Sequence, residues 1–229
     1  MIRVVVALAL VGTAAPAFGG EESKRFLGTS QLYDISVPVR SMQAMRFAGV
    51  VRQRYDFSCG SAALATLLRM YGDPHDEIAA FRGMWAEGDR AQIRKLGFSL
   101  LDMQRYLKAR GIAGNGYKVS LDAIRQAGVP GIALINRQGY RHFVIIQGVR
   151  NGEVLVADPS LGLRVEQQDR FQEQWNGVLF VLDSAVPRGK AVFNQPARWA
   201  AYPRSPFSRA AGALDQQSLQ LAMPGYGEF

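Results

Sequence analysis

The one cysteine of the chain, Cys59, lies in Gln53-Arg54-Tyr55-Asp56-Phe57-Ser58-Cys59-Gly60-Ser61-Ala62-Ala63, where loop chemistry gives way to a helical apolar period. A thiol at a helix start faces unpaired backbone N–H groups and the positive end of the helix dipole, and both favour thiolate over thiol. A free thiol with a pKa of about 8.5 is only a few per cent ionised near neutral pH, so such a placement multiplies its reactive fraction. The competing reading is a small buried hydrophobe, the usual role of a free cysteine. Nucleophilic cysteine chemistry further needs a base, a group that orients the base, and donors for a developing oxyanion. Two histidines compete for the first role. His75, in Asp73-Pro74-His75-Asp76, reads as a solvated residue of a polar turn. His142 opens the β-rich run His142-Phe143-Val144-Ile145-Ile146, and the following run ends in Val156-Ala157-Asp158-Pro159. A short carboxylate at a strand end can accept from an imidazole N–H and fix its tautomer, although an Asp before Pro is also ordinary turn chemistry. Gln53 supplies a neutral amide that can join the Cys59 backbone N–H in an oxyanion hole; otherwise it is a polar loop residue.

These groups are far apart in sequence, so the fold must bring them together. After Cys59, residues Ala63, Leu64, Leu67, Leu68 and Tyr71 recur at helical spacing until Gly72-Asp73-Pro74. This predicts a helix buried on one face and headed by the thiol. Further helices are expected over 76–87, over 100–110 behind a Ser99/Asp102 capping box, and over 121–127 between Ser120 and Gly128. Strands are expected over 129–135, 140–149, 153–158, 163–166 and 178–182, with a short edge strand over 32–37. Short turns between successive strands imply antiparallel pairing, and helices followed by a meander imply an α+β fold. His142 and Asp158 then fall on neighbouring strands, side by side if they share a face. Residues 186–229, with Pro187, Gly189, Pro196, Pro203 and Pro206 among Arg, Ser and Gln, show no sustained apolar period, and read as an irregular tail with at most one short helix over 214–223.

The first residues show a positive charge at Arg3, an apolar run over 4–15, and small residues at Ala17 and Gly19. This is the pattern of a signal peptide over 1–19. The run is shorter than the ~20 residues a membrane span needs, although an uncleaved anchor is the alternative. The reading makes the mature chain periplasmic, with an extension over 20–49, one domain over 50–185 and no integral membrane span. A lone cysteine excludes an intrachain disulfide, and in an oxidising compartment a free thiol must be buried or used. The net charge of +8 is scattered, without the dense basic block of a nucleic-acid binder. One cysteine and two distant histidines do not make a zinc site, so no metal or other cofactor is expected.

The run Gln53-x5-Cys59-Gly60, the segment Ser99-Leu100-Leu101-Asp102-Met103, then Gly139-Tyr140-Arg141-His142-Phe143-Val144-Ile145 and Asp158-Pro159-Ser160-Leu161-Gly162 together resemble the peptidase C39 family. These are papain-like cysteine peptidases best known as N-terminal domains of bacteriocin-exporting transporters. The resemblance spans roughly 50–182. It implies Cys59 as nucleophile, His142 as general base and acid, Asp158 as orienter and Gln53 as oxyanion donor. It also implies helices packed on a C-terminal antiparallel sheet and a peptide or protein substrate cut after Gly-Gly. Two departures are visible: Ser58 stands where transporter-borne members usually have Asp, and no transmembrane bundle or nucleotide-binding motif accompanies the domain. The chain looks most like stand-alone exported members associated with functional-amyloid or other secretion systems, which implies a secretion-system partner. A non-cleaving binding or chaperone module and a Cys-His-Asp acyltransferase are the other readings.

Overall fold

The computed structural model describes residues 41–55 and 57–201. The leader and the elements expected over 32–37 and 214–223 lie outside these residues. Helix α1 (Met42–Arg46) precedes the loop that leads to α2 (Cys59–Met70). Next come α3 (Glu77–Glu87), α4 (Arg90–Leu96) and α5 (Leu100–Ala109). Strand β1 (Gly114–Lys118) and α6 (Leu121–Ala127) follow. The remaining strands are β2 (Gly131–Arg137), β3 (Tyr140–Arg150), β4 (Glu153–Asp158), β5 (Gly162–Gln167) and β6 (Trp175–Leu182). Helix α7 (Gln168–Gln174) connects the last two.

The six strands form one sheet in the order β1-β6-β2-β3-β4-β5, with every neighbouring pair antiparallel. β2 to β5 form the expected meander. β6 does not extend it: α7 carries the chain back across the sheet, and β6 pairs with β2 and β1 instead. β3 is buried from His142 to Val149 because both faces of the sheet are covered. On one side Phe143, Ile145, Leu155 and Ala157 meet Leu64, Leu67 and Met103. On the other, Val144, Ile146 and Val156 meet Leu121, Ile124 and Phe171. Two-sided burial explains the unbroken apolar run, since alternation is expected only where one face stays wet.

α2 is the centre of the helical layer. Its residues from Cys59 to Leu68 are all buried, where the apolar period predicts burial of one face only. The alanines, Ser61 and Thr66 make the remaining faces small enough for close contact, and Thr66 Oγ1 bonds to Ala62 O within the helix and to the Val51 N–H. Caps occur where the sequence places them. Ser99 and Asp102 form a reciprocal capping box, Ser120 accepts from Ala123 N–H, and Gly128 ends α6 in the left-handed conformation.

The irregular tail expected from 186 onward is corrected over its described part. Helices α8 (Val186–Val192) and α9 (Pro196–Ala201) form there, and Phe193 and Trp199 are buried. Both helices are under two turns, too short to display a period, and both carry proline in the first turn, where it is favoured rather than disruptive. Asn194 bonds to Val149 O and Gln147 O, and Arg150 stacks on Trp199 at 4.0 Å. A Cβ on Gly148 would lie 2.3 Å from Asn194 Oδ1, so this strand position needs glycine for the segment to dock. Arg198 then reaches back to the carbonyls of Ala48 and Gly49 and to Gln147 Oε1. α4, β1 and α7 were also not expected: α4 and α7 are only seven residues long, and β1 forms by pairing with the distant β6.

Candidate active site

Cys59 occupies the first turn of α2 and is 7% exposed. Ser58 precedes it at the cap but makes no side-chain hydrogen bond to the first turn. Its hydroxyl lies within reach of two acceptors for its one proton, Tyr55 O (2.9 Å) and the buried Glu77 carboxylate, and accepts from Tyr55 N–H (3.1 Å). Glu77 also accepts from the Arg54 N–H at 2.9 Å. α3 thus holds the loop by its backbone and leaves the leading N–H groups of α2 without a side-chain cap, the arrangement that binds a developing negative charge. Gly60 allows the helix to approach its neighbours, since a Cβ there would meet Phe98 at 3.0 Å and Met103 at 3.3 Å.

His142 enters near the start of β3 and Asp158 is the last residue of β4. Ile145 pairs with Ala157, so continuing that register puts His142 diagonal to Asp158 on the same face. His142 Nε2 and Asp158 Oδ1 are 2.7 Å apart, and the two residues are 3% and 0% exposed. The same Oδ1 accepts from Ser160 N–H (2.9 Å), Ser160 Oγ (2.7 Å) and Leu161 N–H (3.3 Å). This is an Asx-type turn after the strand, with Pro159 preventing further pairing. Burial of the ring works against a charged imidazole. The hydrogen bond to Asp158, the nearby Cys59 thiol and the charges of both outweigh it and push His142 up from 6.5 to about 9. Asp158 is moved the opposite way: burial raises it, and His142 and Ser160 more than compensate, leaving it below the usual carboxylate range. With Nε2 on Asp158, Nδ1 is the ring nitrogen left to face Cys59; it is buried and has no hydrogen-bond partner among the described residues. The carboxylate selected from the sequence is thus bonded to the selected imidazole, and Cys59 is close enough to the ring to act on its charge.

Gln53 lies beside this line. Its N–H donates to Pro159 O at 3.0 Å, which ties the Cys59 loop to the turn after Asp158. Its side chain donates from Nε2 to Tyr55 O at 3.2 Å, and Oε1 is buried without a hydrogen-bond partner among the described residues. His75 is elsewhere and is not the solvated residue expected. Its Nδ1 meets Asp73 at 3.0 Å and its Nε2 meets Tyr106 Oη at 2.6 Å, which fastens the loop after α2 to α5. Tyr140 stacks on His142 with centroids 5.9 Å apart, and Tyr140, Leu161, Tyr55 and Phe57 are all at least half exposed.

Sequence reasoning missed Ser160 and a charged layer behind Asp158. Asp158 Oδ2 faces Arg164 Nε at 3.4 Å and Arg137 Nη1 at 3.8 Å, and Glu166 accepts from both arginines. The DPSLG run contained the signal for Ser160, because a hydroxyl two residues after a turn Asp can bond back to it. The arginines had no signal without the strand register.

Residues 48–186 match the Peptidase C39 family. A probable functional amyloid protease, FapD, of Pseudomonas aeruginosa PAO1 is 41% identical over 160 residues, covering 69% of this chain and 71% of that protein. The protein of the same description from Pseudomonas fluorescens is 39% identical over 160 residues, with the same coverage. Among solved structures, the peptidase domain of Streptococcus ComA, a bifunctional ABC transporter involved in quorum sensing, superposes with a TM-score of 0.50. It has 20% identity and covers 58% of this chain and 95% of that domain, so it bears on the fold, which is the α+β papain-like one expected. On the family match and the two Pseudomonas relatives, the chain belongs to the peptidase C39 family of cysteine peptidases.

Proposed function

We propose that this peptidase acts after export, in the periplasm, on a protein handled by a secretion system of the functional-amyloid kind, and that it cuts after a Gly-Gly pair. The carrying observation is the bond from the fully buried Asp158 to one nitrogen of His142, which leaves the other nitrogen for Cys59. The names of the two Pseudomonas relatives support the amyloid context, and the C39 resemblance supports the Gly-Gly site. No helix among the described residues is long and apolar enough to cross a membrane.

In this reading Cys59 is the nucleophile. Its thiolate adds to the scissile carbonyl carbon, and the electron pair of the C=O bond moves to oxygen. The uncapped N–H groups at the start of α2 hold that oxyanion, joined by Gln53 Nε2 once it leaves Tyr55 O. Collapse of the intermediate breaks the C–N bond, and His142 gives its Nδ1 proton to the departing amine. Water then attacks the thioester, with the now neutral His142 taking its proton, and the thiolate leaves. Asp158 keeps the ring oriented throughout without itself being protonated.

The test is incubation of the chain lacking residues 1–19 with Gly-Gly peptides, alongside Cys59→Ala and His142→Ala, with products read by mass spectrometry. Cleavage by the parent chain alone is expected. Cleavage that survives Cys59→Ala would refute the mechanism, and ligated products would mean acyl transfer. Binding without cleavage, with a thiol inert to alkylation, would make the protein a chaperone module.

A further inference from the structure

The chemistry uses only one oxygen of Asp158. Oδ1 receives His142, Ser160 and Leu161, whereas Oδ2 is turned away from them toward two guanidinium groups. These come from separate strands that the register places on one face. Arg164 of β5 pairs with Val156, two residues before Asp158, and Arg137 closes β2 opposite Tyr140, two residues before His142. Both arginines are fixed from behind. Glu166 Oε1 accepts from Arg137 Nη2 at 2.7 Å and from Arg164 Nη1, and Gln174 of α7 bonds to Arg137 Nε at 3.0 Å. Asp158 and Arg164 are both largely buried, so these contacts are poorly screened by water.

Rotation about the last bond of an Asp moves both carboxylate oxygens together, so the ion pairs at Oδ2 resist the same rotation that would turn Oδ1 away from His142. The arginines also offset the charges of Asp158 and Glu166, which lie among the two guanidinium groups and His142.

We infer that Arg164 is a positioning residue for the reaction: with Arg137 and Glu166 it clamps Oδ2 of Asp158 so that Oδ1 stays aimed at His142. The inference rests on the peptidase reading of Cys59, His142 and Asp158, and goes beyond it by assigning a role to residues that touch neither substrate nor thiol. The groups that face Asp158 are His142 from β3, Arg137 from β2, Arg164 and Glu166 from β5, and Ser160 from the turn, with Cys59 acting through His142.

The experiment compares the full chain with Arg164→Met, Arg164→Lys and Glu166→Gln. It measures the pH dependence of Cys59 alkylation by iodoacetamide, kcat and KM on a Gly-Gly peptide, and the thermal midpoint. The parent chain should show an alkaline inflection near 9, from His142. In Arg164→Met a loosened Asp158 holds the imidazolium less well, so the inflection should fall by about one pH unit and kcat by about tenfold, with KM within about twofold. Arg164→Lys, which keeps the charge but not the fork, should recover part of both. A lowered thermal midpoint with an unmoved inflection and unchanged kcat would make the contact purely structural and overturn the inference. An upward move would show Arg164 acting as a charge that repels His142, and would also overturn it. If Arg164→Met does not fold, Glu166→Gln reads the clamp from its far end: a fall of about half a pH unit supports the inference and an unchanged profile refutes it. Alkylation needs no substrate. A parent chain that fails to cleave therefore counts against the peptidase reading, while the inflection still decides the clamp.

Discussion

Asp158→Asn tests the centre of the site because it changes charge while leaving shape and most contacts intact. The elevation of His142 from 6.5 to about 9 amounts to about 3 kcal/mol of preference for the imidazolium, at ~1.4 kcal/mol per tenfold. Asp158 and Cys59 supply it against burial, so removing the Asp158 charge should forfeit about half or more. The sign follows from linkage. A histidine whose folded value lies above its unfolded one adds stability that is complete below about 6.5 and is lost as pH rises toward 9. The parent chain should therefore lose about 3 kcal/mol of this contribution across that window, and Asp158→Asn should show a much flatter dependence, read by urea unfolding at closely spaced pH values. Activity should follow the same proton. The alkaline limb of kcat/KM should move from near 9 to about 7, and the maximum should fall about a hundredfold or more because the ring loses its orienting anion. An alkaline limb in Asp158→Asn that coincides with that of the parent would refute the argument, since the proton would then be held by something other than this pair.

Ser160→Ala removes one of the two Ser160 bonds that hold Asp158 down, so Asp158 should titrate higher, the acid limb of kcat/KM should rise, and turnover should fall severalfold. Gln53→Ala should cost about a hundredfold in kcat if its amide turns from Tyr55 O to the oxyanion, with KM little changed. Equal turnover would leave the oxyanion to the α2 backbone alone. Arg198→Ala should destabilise the chain by about 2–4 kcal/mol in urea unfolding, because three acceptors on 48–49 and Gln147 lose a charged donor at once. A change below about 0.5 kcal/mol would mean that water replaces the guanidinium without loss.

The reacting groups were legible in the sequence for unequal reasons. Cys59 stood out because a thiol headed a periodic helix, and Asp158 because its strand stopped at proline. His142 is preferred over His75 because the next strand ends in Asp158, and the register of β3 against β4 turns that preference into a hydrogen bond. The supporting residues were hidden for the same reason. Arg164 and Glu166 alternate with Leu163 and Val165 as solvated strand residues do, Arg137 sits in turn-like Asn136-Arg137-Gln138, and their contacts join strands up to 29 positions apart. α8 and α9 were missed because helices under two turns carry no period and their prolines resemble breakers. β6 left the meander because α7, itself unseen, redirects it.

Arg198 joins residues about 150 positions apart, and this gives the molecule a sequence of events in time. A chain emerging from its N-terminus, from a ribosome or through a translocation channel, presents Cys59 and its loop early. The carbonyls at 48 and 49 receive their donor only after α9 has followed. Long-range closure of this kind comes late in folding. A nascent chain that has reached Asp158 already contains every reacting group, yet the segment ahead of its thiol is still unfastened. An anchored segment ahead of the thiol therefore requires the chain as far as α9.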